Sequence, residues 1–144
     1  MRFTTKAEYG LAAIADIALQ HEQGKKAVTS EIARRQNISQ KYLEQILLQL
    51  RRSNLIHAAK GKNGGYSLSQ AASSITITEV LNALDSSILA DSSELDSEDG
   101  IRMNLKFCLW DKINRNMREY MDSLTLAELL AQCDEFESRG VYAI

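Results

Sequence analysis

The chain has 144 residues, 44% of them hydrophobic and 25% charged, and contains no proline. That composition suits one ordinary globular domain with its own core, and no apolar run reaches the 18 residues that would suggest a membrane span. The formal net charge of −2 conceals a division, because residues 1–70 carry 11 Lys and Arg against 5 Asp and Glu while residues 71–144 carry 6 against 14. A polyanion would be attracted to the first half and repelled by the second.

The opening stretch MRFTTKAEYGLAAIADIAL keeps Lys6, Glu8 and Asp16 inside its apolar part, which fits an amphipathic helix rather than a signal peptide. Tyr9, Ala12, Ala13, Ile14, Ile17 and Ala18 recur at helical spacing over residues 4–21. A polar turn follows at residues 21–26. Thr29 or Ser30 is placed to cap a short helix through Gln36, and Asn37 to supply the left-handed residue that ends it. Ser39 caps a second helix over residues 40–53, with Leu43, Ile46, Leu47 and Leu50 as its buried stripe. Ile32, Ile38, Leu43 and Ile46 then form the small core of a helix-turn-helix, and Ala33 lets the two helices cross closely.

Two strand-like runs, Leu55–Ala59 and Tyr66–Leu68, flank the stretch Ala59-Lys60-Gly61-Lys62-Asn63-Gly64-Gly65-Tyr66. A nucleotide-binding loop needs a strand before its glycines, a Gly-Lys-Ser/Thr ending and a helix after it. Here a strand follows instead, so the pattern is a β-hairpin. A helix-turn-helix followed by a hairpin is a winged helix, and the expected fold is mainly α with one small β-hairpin wing. Another helix is expected from Thr76 or Thr78 to Leu84. Residues 86–100, SSILADSSELDSEDG, read as an acidic, serine-rich loop. A long helix is expected from Ile101 to Leu124, then a short one over residues 124–130. Ile101, Leu105, Cys108, Ile113, Met117, Tyr120 and Leu124 recur along the long helix at three-, four- and five-residue steps, with Phe107, Leu109 and Trp110 beside them. That face is more apolar than a solvated helix needs and suits a partner helix. The organisation is thus a DNA-binding domain over 1–85, an acidic loop over 86–100, a dimerisation helix with a short following helix over 101–130, and a tail over 131–144.

In a winged helix the second helix presents its first turns to the bases. Gln40, Lys41, Tyr42, Glu44 and Gln45 stand there, after Ser39. Gln45 suits adenine, Glu44 the amino group of cytosine, and Lys41 guanine or a phosphate. Arg51 and Arg52 suit backbone phosphates, and Thr29 at the preceding helix start belongs to the same surface. On the wing, Lys60, Gly61, Lys62, Asn63 and Gly64 make a slim cationic tip for a minor groove or its phosphates. Each of these residues is otherwise an ordinary solvated side chain. Two histidines and no acid–base cluster leave no catalytic site to nominate, so no enzyme is expected. Cys108 and Cys133 form neither a CxxC pair nor a zinc spacing, which fits a reduced cytoplasmic setting.

The sequence resembles the Rrf-two family of bacterial winged-helix regulators, of the IscR, NsrR and CymR type. The resemblance is carried by Met1-Arg2-Phe3-Thr4-Thr5-Lys6 with Tyr9-Gly10, by Tyr42-Leu43-Glu44-Gln45, by Leu50-Arg51-Arg52, by Lys60-Gly61 through Gly64-Gly65-Tyr66, and by Ile77-Thr78-Glu79-Val80. Trp110 and Thr125-Leu126-Ala127-Glu128-Leu129 continue it to about residue 130. It implies a homodimer with crossed long helices, meeting through Ile101, Leu105, Cys108, Leu109, Ile113, Met117 and Tyr120, on a palindromic double-stranded DNA operator. It also implies that Lys60 stands where the family usually has arginine, which weakens minor-groove insertion because lysine is more heavily hydrated and lacks the planar fork.

Many members of that family hold an iron–sulfur cluster through three cysteines in the loop before the long helix. Residues 86–104 have none here, Asn104 stands at a position often cysteine, and Phe107 at one that is histidine in some members. The resemblance therefore leads to the cluster-free branch, without a cofactor. Cys108, with Glu8 as an acidic ligand, is the weak candidate for a metal or redox site. CymR-like members signal through cysteine synthase, and the ending Tyr142-Ala143-Ile144 suits docking of a terminal carboxylate and an isoleucine into an amino-acid pocket. The leading expectation is a repressor tied to cysteine or sulfur metabolism. Its alternatives are a redox or iron–sulfur sensor using Cys108, and an adaptor that has lost operator binding.

Overall fold

The computed structural model describes residues 3–89 and 100–140. Among the described residues seven α-helices occur in the order α1 Thr5–Glu22, α2 Thr29–Gln36, α3 Gln40–Arg52, α4 Ile77–Leu84, α5 Ile101–Leu105, α6 Asp111–Ser123 and α7 Leu126–Ser138. Between α3 and α4 lie two strands, β1 Ile56–Ala59 and β2 Gly65–Leu68, paired antiparallel with Ile56 opposite Leu68 and Ala59 opposite Gly65. The mainly helical fold with a hairpin wing is the one the sequence pattern implies.

The helix-turn-helix forms for the reasons its sequence suggests. Asn37 takes the left-handed conformation at φ 53°, and the Ser39 hydroxyl accepts a hydrogen bond from Tyr42 N to start α3. Ile32, Ile38, Leu43, Ile46, Leu47 and Leu50 are buried together with Ala13, Ile14, Ile17 and Ala18 of α1. Burying each of these larger side chains stabilises the fold by about 1.5–3 kcal/mol, so this cluster sets the position of α3. The start of α2 differs from expectation. Its cap is Val28, without a side-chain bond, and Thr29 is already helical. The reason lies one residue earlier: Ala27 N donates to Tyr66 O at 2.9 Å and Tyr66 N to Ala27 O at 2.8 Å. This bridge stitches Ala27 to β2, holds Val28 extended, and starts the helix immediately after it.

The C-terminal helices are attached to this unit by more than apolar packing. Thr76 caps α4 and Thr125 caps α7, and the two caps face each other across an antiparallel bridge. Ile77 N donates to Leu124 O at 3.0 Å and Leu126 N to Ile75 O at 2.8 Å. Thr78 also donates to Asp122, joining α4 to α6. Ala7, Ile77, Leu81, Met121 and Leu124 form a second core there, with Met117 packed against it. Thr125 and Glu128 make a reciprocal capping box, which helps to carry α7 to Ser138. The closing helix is thus longer than its apolar pattern indicates, and the first eight residues of the expected tail, 131–138, are helical and exposed. Replacing Thr125 by alanine should cost about 1 kcal/mol, measured by urea unfolding.

The long helix changes kind partway along. Lys106–Trp110, between α5 and α6, is π-helical, and Asp111 N donates to Lys106 O five residues back. The same two residues are joined by their side chains, with Lys106 Nζ 3.1 Å from Asp111 Oδ2. The five-residue step from Cys108 to Ile113 in the apolar stripe falls across this turn. Bonding of the i→i+5 type keeps residues five apart on one face, which an α-helix does not.

Candidate nucleic-acid interface

Two depressions lie on the basic half of the chain, on either side of the wing. The front groove, of about 480 Å³, is lined by Thr29 and Ser30 from the start of α2, Gln40 from the start of α3, and Gly61, Lys62 and Gly64 from the wing. It therefore brings together five residues nominated from sequence: Thr29, Gln40, Gly61, Lys62 and Gly64. The rear cleft, of about 700 Å³, lies between the α1–α2 turn, α2 and the wing. Lys25, Lys26, Glu31, Arg34, Arg35, Lys62 and Asn63 are among its lining residues. Val28, Lys62 and Gly64 belong to both, so the wing turn and the start of α2 form the ridge between them.

The remaining nominated side chains divide by environment. Lys41, Glu44, Gln45, Arg51 and Arg52 are exposed along α3, and Lys60 is exposed on the wing. Ser39 spends its hydroxyl on the cap of α3. Tyr42 is half-buried and set edge-on to Tyr9, with ring centroids 6.0 Å apart, so its ring joins α3 to α1. Leu48, unremarked in the sequence, is 44% exposed in the middle of α3.

Backbone geometry explains the glycines of the wing. A Cβ on Gly64 would lie 2.7 Å from Ala59 O and 2.8 Å from Gly61 O, and one on Gly65 would lie 2.8 Å from Ala27 O. These contacts make a thin turn whose base is tied to the entrance of α2. Gly61, at φ +101° but with open space around it, is needed for its conformation alone.

Sequence reasoning missed the device that fixes α2. Asp16 is buried in α1, and Arg35 grips it in a bidentate pair, with Nε 2.8 Å from Oδ2 and Nη2 2.7 Å from Oδ1. Gln36 adds a third bond at 2.9 Å. The bond to Asp16 raises the guanidinium pKa of Arg35 above its already high ordinary value, against the opposing effect of desolvation. Arg35 therefore stays charged throughout the folded range. The signal in the sequence was a lone aspartate on an otherwise apolar face, which burial converts into a demand for a partner.

The long helix leaves a set of large apolar side chains uncovered. Ile101, Phe107 and Tyr120 are 70%, 60% and 63% exposed, and Leu105, Leu109 and Trp110 are exposed as well. Ile113 is half-buried, while Met117 turns toward the second core of its own chain. Cys108 and Cys133 are both exposed and unpaired. Among the described residues no three His, Cys, Asp or Glu side chains converge to hold a metal ion. Tyr142, Ala143 and Ile144 lie outside the described residues. No helix among those described is long and apolar enough to cross a membrane.

Residues 3–132 match the family model Rrf2, described as an iron-dependent transcriptional regulator. The HTH-type transcriptional regulator IscR of Klebsiella pneumoniae is 35% identical over 133 residues, covering 90% of this chain and 80% of that one. Among solved structures, CymR, the global cysteine regulator of B. subtilis, superposes with a TM-score of 0.78 at 29% identity, covering 92% of this chain and 98% of that one. IscR of T. potens gives 0.76 at 30% identity, covering 94% and 90%.

Proposed function

Because the chain belongs to the Rrf2 family of winged-helix transcriptional regulators, we propose that it is a homodimeric, sequence-specific DNA-binding repressor. The observation that carries this reading is the front groove, where the first turns of α2 and α3 meet the cationic wing. Exposed Lys41, Glu44 and Gln45 continue from it along α3 as base-reading side chains, and Arg51 and Arg52 as phosphate contacts. Selection from a randomised duplex library, read by mobility shift, should recover one two-fold-symmetric sequence. Binding should weaken steeply with salt. Equal affinity for every duplex would leave only the adaptor reading. Transcription in vitro from a template bearing the recovered site should fall when the protein is added.

The homodimer is supported by the bare apolar face of α5 and the π turn. Leu105→Asp with Leu109→Asp should convert a dimer to a monomer in analytical ultracentrifugation and weaken binding to the symmetric site about a hundredfold or more, since the two half-sites are then engaged independently. A double variant that still sediments as a dimer would move the interface elsewhere.

The cysteine content supports the reading that one chain holds no iron–sulfur cluster. The protein has two cysteines, both exposed, and no acidic or imidazole pair joins them among the described residues. Anaerobic purification followed by an iron assay checks this, and stoichiometric iron would reverse it. A place in cysteine metabolism is supported by likeness to the B. subtilis regulator. Co-elution with purified cysteine synthase is its test.

A further inference from the structure

The rear cleft is not needed for reading bases, since α3 contributes nothing to it. Its chemistry is nonetheless one-sided. Arg35 is held by Asp16 and approaches Glu31 at 3.6 Å, which accounts for the acid in the cleft. Lys25, Lys26, Arg34 and Lys62 are exposed and have no ion-pair partner among the described residues. Four uncompensated cations around one depression cost self-repulsion unless an anion of matching extent lies there. The chain at one of them is fixed in place. Lys26 adjoins the Ala27–Tyr66 bridge, and its Cβ lies 3.1 Å from the position a Cβ would take on Gly65.

The placement identifies the anion. A minor groove is about 6 Å wide and is bounded by two phosphate chains, so a wing tip lowered into it has one chain on each side. The wing here has one depression on each side, with Lys62 on the ridge between them. We propose that the wing is straddled by both strands of the minor groove, the near strand in the front groove and the far strand in the rear cleft on Lys25, Lys26 and Arg34. This rests on the DNA-binding reading above and extends the contact surface to the α1–α2 turn and to Arg34 on the α2 wall of the rear cleft.

The test uses the full chain and the duplex recovered by selection. In K25Q/K26Q/R34Q the slope of log affinity against log salt should become shallower by about 2.7 for each protomer engaged, at about 0.9 per lost phosphate contact. The preferred sequence should not change, and ethylation of the far-strand phosphates beside the wing should cease to interfere with binding. Near-strand interference should persist. The control K112Q/R115Q removes exposed cations from α6 and should leave the slope as it was. Should the triple variant misfold, K25Q alone gives the same reading at one third of the size. A wild-type slope in the variants, or an equal fall in the control, would overturn the proposal. Loss of sequence preference in the unaltered protein would instead remove the DNA-binding reading itself.

Discussion

Arg35→Met should cost about 3–5 kcal/mol of folding free energy and lower the Tm by roughly 10 °C or more. The substitution keeps most of the side-chain volume but leaves the Asp16 carboxylate, 3% exposed, with a single donor from Gln36. An ionised group in that position has lost both its counter-charge and two of its three hydrogen bonds. Removing the other partner is expected to be milder. In Asp16→Ala the guanidinium of Arg35, 29% exposed, can turn toward water and retain Glu31 nearby, so about 1–2 kcal/mol is lost. A double variant, Asp16→Leu with Arg35→Met, should recover most of the deficit, because an apolar pair of similar volume incurs no desolvation penalty. Urea unfolding of the three variants checks the order, and equal losses in the two single variants would contradict it. The loss extends to function because the pair fixes α2 to α1, and α2 supplies one wall of both depressions beside the wing.

Gly65→Ala should cost about 2–4 kcal/mol and disable the wing. The residue sits at φ +139°, and the added methyl would press on Ala27 O, Ala27 C and Lys26 Cβ at 2.8, 3.1 and 3.1 Å. Strain at an unfavourable φ is worth about 1–3 kcal/mol. Breaking the two Ala27–Tyr66 hydrogen bonds adds about 0.5–1.5 kcal/mol each, partly offset by water. Hydrogen exchange at the Ala27 and Tyr66 amides should speed up together, and DNA affinity should fall as the cationic tip loses its fixed position. Gly61→Ala supplies the contrast. It meets no atom within 4 Å and carries only the conformational cost of φ +101°, so the bridge at Ala27 should remain protected. Similar exchange in both variants would contradict a role for close backbone approach.

Local signals in the sequence reached local structure well. Asn37, Ser39 and the stripe from Leu43 to Leu50 determine a turn, a cap and a buried face within one short window, and each takes its expected form. The wing was legible for the same reason, because a strand rather than a helix follows Gly64 and Gly65. Contacts that depend on tertiary placement were not. Asp16 and Arg35 stand 19 positions apart on different helices, and although Asp16 on an apolar face calls for a partner, no periodicity says which one. Val28 rather than Thr29 caps α2 because of a bridge to Tyr66, far along the chain. Lys25 and Lys26 read as a polar turn until the fold brings them beside the wing. Residues 131–138 lack an apolar stripe, so periodicity gave no sign that α7 would continue to Ser138.

The π turn at Lys106–Trp110 has a consequence for how this chain can change by insertion and deletion. In genetic terms it is equivalent to one extra codon within a helix. Deleting a single residue there would restore an unbroken α-helix, shorten it by about 1.5 Å, and rotate everything on one side by about 100° relative to the other. Ile101 and Leu105 would then point away from the direction shared with Ile113, although no side chain had been substituted. A one-residue length difference at this place in a relative therefore signals a re-aimed helix face, which identity scores count as a single gap.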